Sequence, residues 1–437
     1  MVDTQDNFKT SDKQNPRHWT WVPSLSFADG LPLVAVMTVS LIFYKQMGLS
    51  NAAITFYTSW MYLPWILKPV WSPFIDLVKT KRWWVMATEV LLGAAFGGVA
   101  FTIPTSFWLQ GTLFFFWVAA FTGASHCVAA DGYYLLALDE KQQAWFMGLR
   151  QVGDRLATIV GQGVLVMVAG NLQVIFRGSI RYSWSITFYG LAGIFLALWL
   201  WHCQAMPFAL DDRSRPLVSA RSVLRGFALT FRSFLGKPNI VLALCFILLF
   251  RLPEALLSKV SPLFLIDSAH NGGLGLSPQE YGLVEGTVGM TGIIIGSIVG
   301  GIAVSRNGLR HWLYPMALAY SLPPLIYIFL AYVLPESLAM VSITMFVEQA
   351  GVGFGITACM MFLIYYNRGE FCTSHYAIAS ALMTLSLMLP GLVAGELQEV
   401  LGYRMFFVLT LAVAAATWAV AICVKNRMGA VLDNETE

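Results

Sequence analysis

Charge is what this chain has least of. Of its 437 residues only 12% are Asp, Glu, Lys or Arg, against roughly 25% in soluble domains, too few to coat a protein of this length for water. The six cysteines (Cys127, Cys203, Cys245, Cys359, Cys372 and Cys423) lie in or at the ends of apolar runs, without CxxC spacing, so neither a metal site nor a disulfide framework is suggested. No nucleotide-binding loop, metal-ligand cluster or Ser/His/Asp arrangement is found in the sequence, which argues against an enzyme and against an ATP-driven machine. The net charge of +3 gives no reason to expect a nucleic-acid partner. The first nineteen residues are polar, so no cleavable signal peptide is expected.

Apolar residues take the place of the missing charge. They make up 57% of the chain and recur in runs of about twenty, the length that crosses a hydrocarbon layer of roughly 30 Å. The runs read as twelve transmembrane helices at 20–44, 51–75, 83–103, 106–138, 143–170, 182–203, 238–266, 277–304, 311–333, 336–366, 372–399 and 403–424. The expected fold is therefore an all-α polytopic membrane protein. Lys and Arg set its orientation. With the N-terminus inside, eighteen fall in inside segments (Lys79, Lys81 and Arg82 among them) and four outside, namely Lys45, Arg177, Arg181 and Arg404. Both termini are then expected in the cytoplasm. The polar stretch 204–237 divides the chain into bundles at 20–203 and 238–424, with tails at 1–19 and 425–437, as two six-helix halves would require.

A weak repeat supports the division. Ser72-Pro-Phe-Ile-Asp76-Leu-Val-Lys-Thr-Lys81 follows span two, and Gly301-Ile-Ala-Val-Ser305-Arg306-Asn-Gly308-Leu-Arg310 follows span eight. Both resemble the glycine–acid–basic loop of the major facilitator superfamily. The resemblance implies two pseudo-symmetric halves and a gating role for Asp76, Lys81, Arg306 and Arg310. The first copy lacks the leading glycine and the arginine after Asp76; the second has Ser305 where an acid is usual.

Further stretches resemble the AmpG-type muropeptide permeases, in the family that also holds acetyl-CoA transporters. They are Phe27-Ala-Asp-Gly30-Leu-Pro32, Leu67-Lys68-Pro-Val-Trp71-Ser-Pro73-Phe-Ile-Asp76 and Gly123-Ala-Ser125-His126-Cys127-Val-Ala-Ala-Asp131, with looser echoes at Arg251-Leu-Pro-Glu254 and Tyr376-Ala-Ile-Ala-Ser380. The similarity implies a proton-coupled importer of cell-wall breakdown products: a multi-pass monomer in the bacterial inner membrane, needing no cofactor beyond the proton gradient. Its partners would be the lipid bilayer and an amino-sugar or peptide-sugar solute. One departure is plain. The family places two acids four apart in span four, and this chain has Cys127 and then Asp131. Transport of another amphipathic solute (a siderophore, a drug or a CoA-like anion) stays open, as does a membrane-embedded enzyme or receptor.

A charge near the bilayer centre costs at least about 2.5–3.5 kcal/mol, so intramembrane ionisable residues are functional candidates by default. The spans hold Asp29, Lys68, Glu89, Asp131, Arg150, Asp154, Arg155, Arg251, Glu254, Lys259, Glu285, Glu348 and Glu396. At 1.5 Å per residue, Asp29 and Lys68 reach a similar depth on antiparallel neighbours and are expected to pair. Asp131 lies level with Arg150 and Asp154. Arg251, Glu285 and Glu348 share a level near the midplane, and Glu254 sits one turn from Arg251. These residues and His126 form the candidate substrate and proton pathway. Glu89, nearer a helix end, reads as structural. Pro32, Pro64, Pro253, Pro262 and Pro390 should kink their helices, and the glycines of spans eight and ten should let them approach closely.

Overall fold

The computed structural model describes residues 18–138, 140–207, 229–368 and 372–432. Among them the regular structure is helical throughout. Nine continuous stretches among the described residues are long and apolar enough to cross a membrane. Two of these, Pro278–Val333 and His375–Arg427, each hold two helices joined across a non-helical glycine, Gly308 and Gly402. Residues 51–77 form a further helix broken at Met61–Tyr62. Division at these points gives twelve segments, whose ends fall within a few residues of the sequence expectation.

Local chemistry sets several of the ends. Ser50, Thr80 and Ser337 accept from Ala53, Trp83 and Met340 backbone N–H groups at the starts of spans two, three and ten. Ser277 and Glu280 form a reciprocal capping box at the start of span eight, meeting donors the helix itself cannot satisfy. Interior breaks follow proline. Pro64 has no N–H for the Trp60 carbonyl, and span two breaks at 61–62; Pro253 cannot bond Leu249, and span seven breaks at Arg251, whose φ and ψ are −92° and 2°. The two repeated loops turn differently. Gly308 takes φ +77° in the second, and in the first, which has no glycine, Lys79 adopts φ +62°.

Helices alternate in direction, so residues near 45–51, 175–180, 266–278, 333–338 and 401–403 gather at one end of the bundle, here the Lys45 end. Residues near 77–81, 205–207 and 307–309 gather at the other, the Lys81 end. Span eight packs along span ten over their glycines, as expected. Between the halves, span five crosses span eight at Gly163 and Gly286. A Cβ on Gly286 would lie 2.3 Å from the Gly163 Cα, so the crossing requires glycine. Stacked Phe96 and Phe195, 5.6 Å apart, join spans three and six inside the first half.

Candidate functional site: a central cavity and a buried polar chain

Three spans depart from α-helical geometry at one level. Ala35–Val39 in span one, Ile159–Leu165 in span five and Val284–Gly289 in span eight are π-helical. A π turn widens the backbone and swings side chains off the regular face, and such turns gather at functional sites. Here they border a cavity of about 270 Å³ between the two halves, at the lower edge of the roughly 300–1,000 Å³ usual for small-molecule sites. Thr38 and Gln162 face it from two of these turns, with Gln162 Nε2 donating to Thr38 Oγ1 at 3.2 Å; Glu285 faces it from the third.

The second half supplies most of the charge. Arg251, 8% exposed at the break in span seven, donates to Glu254 Oε2 from Nε (3.1 Å) and Nη2 (2.8 Å). The Tyr320 hydroxyl accepts from Arg251 Nε at 3.3 Å and lies 3.0 Å from Glu254 Oε2 as a donor. Glu254 and Tyr320 face the cavity, and Arg251 stands behind them. Glu285 accepts from Gln349 Nε2 at 3.1 Å, while its Oε2 and that of buried Glu348 have no hydrogen-bond partner among the described residues. An unpartnered buried carboxylate is costly unless it takes up a proton or meets a cationic group. Both acids line the cavity.

The first half holds a connected chain of ionisable groups. Asp131 on span four forms an ion pair with Arg150 on span five. Arg150 Nη2 lies 3.9 Å from Asp29 Oδ2 on span one, and Asp29 Oδ1 lies 3.8 Å from His126 Nδ1 on span four. His126 is fully buried; its Nε2 lies 3.6 Å from Glu89 Oε1 on span three. Glu89 contacts His202 Nδ1 on span six at 2.5 Å, and His202 Nε2 meets the Ser24 hydroxyl at 2.9 Å. The chain thus runs through five helices, from half-exposed Asp131 to a serine next to Trp201.

Several sequence expectations are corrected by these contacts. Asp29 does not pair with Lys68: its neighbours within 4 Å are the His126 ring and the Arg150 guanidinium, and Lys68 Nζ points instead to Cys127 Sγ at 3.5 Å. Arg150 comes near Asp29 because span five packs along span one. Cys127 occupies the place of the missing acid and bridges Lys68 to Asp131 Oδ2, 3.8 Å away. Asp154 joins no ion pair among the described residues. Glu89, which reads as structural in the sequence, sits fully buried between two histidines. In the loops, Lys81 is buried and passes along Gly132, Arg306 and Arg310 are exposed, and the Asp76 side chain lies outside the described residues. Sequence reasoning missed His202, Gln162 and Tyr62 and gave no role to Lys259. The available signal was a polar residue inside an apolar run, which His202 and Gln162 both show.

Hydrogen bonds between the halves join residues 45–59 to the end of span seven, to span eleven and to the start of span twelve. Lys45 Nζ donates to Asp267 at 2.7 Å, Asn51 to Gln398 and Tyr403 at 2.6 and 3.0 Å, and the Ala52 amide to Glu399 at 2.8 Å. Deeper in, the Gly395 amide donates to Thr55 Oγ1 at 3.1 Å. With the Gly163–Gly286 crossing, these contacts tie the halves together on the Lys45 side of the cavity.

No family model matches the chain. It is 24% identical over 404 residues to the anhydromuropeptide permease of Escherichia coli (strain K12), covering 89% of this chain and 76% of that protein. Among solved structures it superposes on the nucleoside transporter NupG with a TM-score of 0.67 at 13% identity, covering 93% of this chain and 98% of that one. For a D-xylose–proton symporter the TM-score is 0.63 at 12% identity, covering 92% and 96%. At these identities the superpositions establish the fold, which is the major facilitator fold of two six-helix halves.

Proposed function

We propose that the chain is a secondary transporter that imports an anhydro-muropeptide, or its disaccharide core, across a bacterial inner membrane together with protons. The observation that carries the reading is the central cavity: a ligand-sized space between two helical halves, walled by ionisable groups and tied shut on one side, in a chain similar over 89% of its length to an anhydromuropeptide permease. Ionisable groups are costly in a bilayer and persist where solute or protons pass.

In this reading the Lys81 end faces the cytoplasm, with both termini and the 204–237 segment, as the Lys and Arg bias supports. The Lys45 end is the outer gate, closed in this state. Residues 20–203 and 238–424 rock as two bodies about the cavity. The chain from Asp131 through Arg150, Asp29, His126 and Glu89 to His202 carries the coupling proton, and the Glu254, Glu285 and Glu348 wall contacts solute. The protein works as a monomer in the bilayer without a cofactor.

Purified protein in proteoliposomes, given labelled anhydro-muropeptide and an inward proton gradient, should accumulate label until an uncoupler is added. Absence of uptake would overturn the substrate, and accumulation indifferent to the uncoupler would overturn the coupling.

A further inference from the structure

The surroundings of Lys259 are unusual. It sits on span seven beyond the Arg251 break, 2% exposed, at the cavity wall. Its Nζ donates to Thr58 Oγ1 at 3.1 Å and lies 4.9 Å from the centre of the Tyr62 ring. No carboxylate among the described residues lies within ion-pair distance. The acid nearest in sequence, Glu254, is already held by Arg251 and Tyr320.

An ammonium group has three N–H donors. One is met here by a hydroxyl, and a ring face adds attraction without a counter-charge. A buried charge without an ionic partner is costly, and a paired one is far less so. A lysine so placed, on the wall of a cavity that admits solute, is completed by an anion arriving from the cavity. The same wall carries three acids, Glu254, Glu285 and Glu348, against one further cation, Arg155, a balance poorly suited to a doubly charged group such as a phosphate monoester. A single carboxylate on a neutral or amine-bearing body suits both features.

We infer that Lys259, positioned by the Thr58 hydroxyl at the seam between the halves, is the anchor for a carboxylate of the transported solute. The inference rests on the transport reading and deepens it by giving the solute's chemical class, an acidic sugar. Lys259 belongs to span seven, while Thr58 and Tyr62 belong to span two, so the anion binds across both halves. Its binding therefore favours the state in which these spans are close, because a ligand shifts an equilibrium by its differential affinity for the two states.

The test compares acids with their methyl esters. Thermal unfolding of the full-length protein in detergent is followed with glucuronate, N-acetylmuramate and the anhydro-disaccharide, each beside its ester. The wild type should bind at least one acid with an apparent affinity at least ten-fold above its ester. Lys259→Met should bind that acid and its ester alike, and Lys259→Arg should retain part of the preference. A Lys259 that only supports the fold would change the unfolding temperature without altering the acid-to-ester ratio. Equal binding of acid and ester by the wild type, an undiminished preference in Lys259→Met, or no binding of any acid would each overturn the inference, and the wild-type comparison decides even if the variants fail to fold. If glucuronate binds through Lys259 and the anhydro-disaccharide does not bind, the anchor stands and the muropeptide reading falls. If the anhydro-disaccharide is transported and its ester competes equally, the reverse holds.

Discussion

Lys45 Nζ lies 2.7 Å from Asp267 Oδ2, joining groups 222 positions apart in sequence across the two halves. Asp267 also accepts from Tyr403 at 3.0 Å and from Asn271 at 3.0 Å, and Lys45 donates to Asn51 at 2.8 Å. The carboxylate is thus the hub of the contacts at this end. A hydrogen bond to a charged group is worth about 1.5–3 kcal/mol, so Asp267→Asn should shift the closed-to-open ratio roughly ten-fold or more toward opening. Distances between spin labels at Leu49 and Leu274 report it: a longer-distance population should grow in the variant, and an unchanged distribution would remove Asp267 from the gate.

The same carboxylate fixes a pH expectation. Burial pushes Asp267 up, but the bonds from Lys45 and Asn271, the Lys45 charge and the Tyr403 hydroxyl outweigh it and hold the group below the usual carboxylate range. A lowered value means that the stabilisation of the closed gate is complete above the ordinary carboxylate value of about 3.9 and is lost only as pH falls through the lowered one. Between about pH 5 and pH 8 the Asp267 contribution should therefore be flat. Any gate opening across that interval should persist in Asp267→Asn, and its disappearance there would contradict the assignment.

The crossing of spans five and eight gives an independent handle. A methyl on Gly286 would lie 2.3 Å from the Gly163 Cα, and overpacking of this kind costs about 1–3 kcal/mol. Because the clash exists only where the halves meet, Gly286→Ala should disfavour the closed gate while leaving each half folded. A cysteine placed at Gln279, which packs against Gly170, should then be alkylated faster than in the Gly286 background. Equal rates with normal folded yield would show that the crossing opens without separation.

Much of this architecture is legible in the sequence, and the reason is physical. A bilayer demands about twenty apolar residues per crossing, so helix ends follow composition, and capping residues such as Ser277 and Glu280 sharpen them. Depth along a helix was equally legible, which is why Asp131 and Arg150 were placed level. Rotation about the helix axis was not. Asp29 and Lys68 do share a depth, yet their side chains turn to His126 and Cys127, because which face meets which neighbour depends on packing among five helices. Depth alone likewise hid the chain through Glu89 and His202, whose links join spans three, four and six. The π turns were hidden too, since they shift the register of Gln162 and Glu285 without a composition signal.

His126 is fully buried, and neither ring nitrogen has a hydrogen bond within normal length among the described residues; Asp29 lies 3.8 Å away on one side and Glu89 3.6 Å on the other. An imidazolium has a donor for each of these acids, whereas a neutral ring has only one. A proton on His126 thus gives each acid a facing donor, and its departure leaves one of them only its other partner, Arg150 for Asp29 or His202 for Glu89. The other ionisable groups described around this point include Arg150 near Asp29, Asp131 beyond it, Asp154 near both, Lys68 at Cys127 and His202 on Glu89. Movement of span five, which carries Arg150, would alter the charge seen by Asp29 and through it the proton on His126, linking proton and solute as a coupling free energy. Asp131→Asn should leave this buried part intact and weaken only the Arg150 contact. His126→Gln keeps hydrogen-bonding capacity but removes the titrating group. Counterflow, which needs no gradient, and gradient-driven uptake should therefore separate in His126→Gln, with exchange kept and accumulation lost by ten-fold or more. Asp131→Asn should show a smaller version of the same split. If His126→Gln accumulates solute as the wild type does while Asp131→Asn does not, the coupling proton belongs to the exposed end of the chain and the buried histidine is only packed.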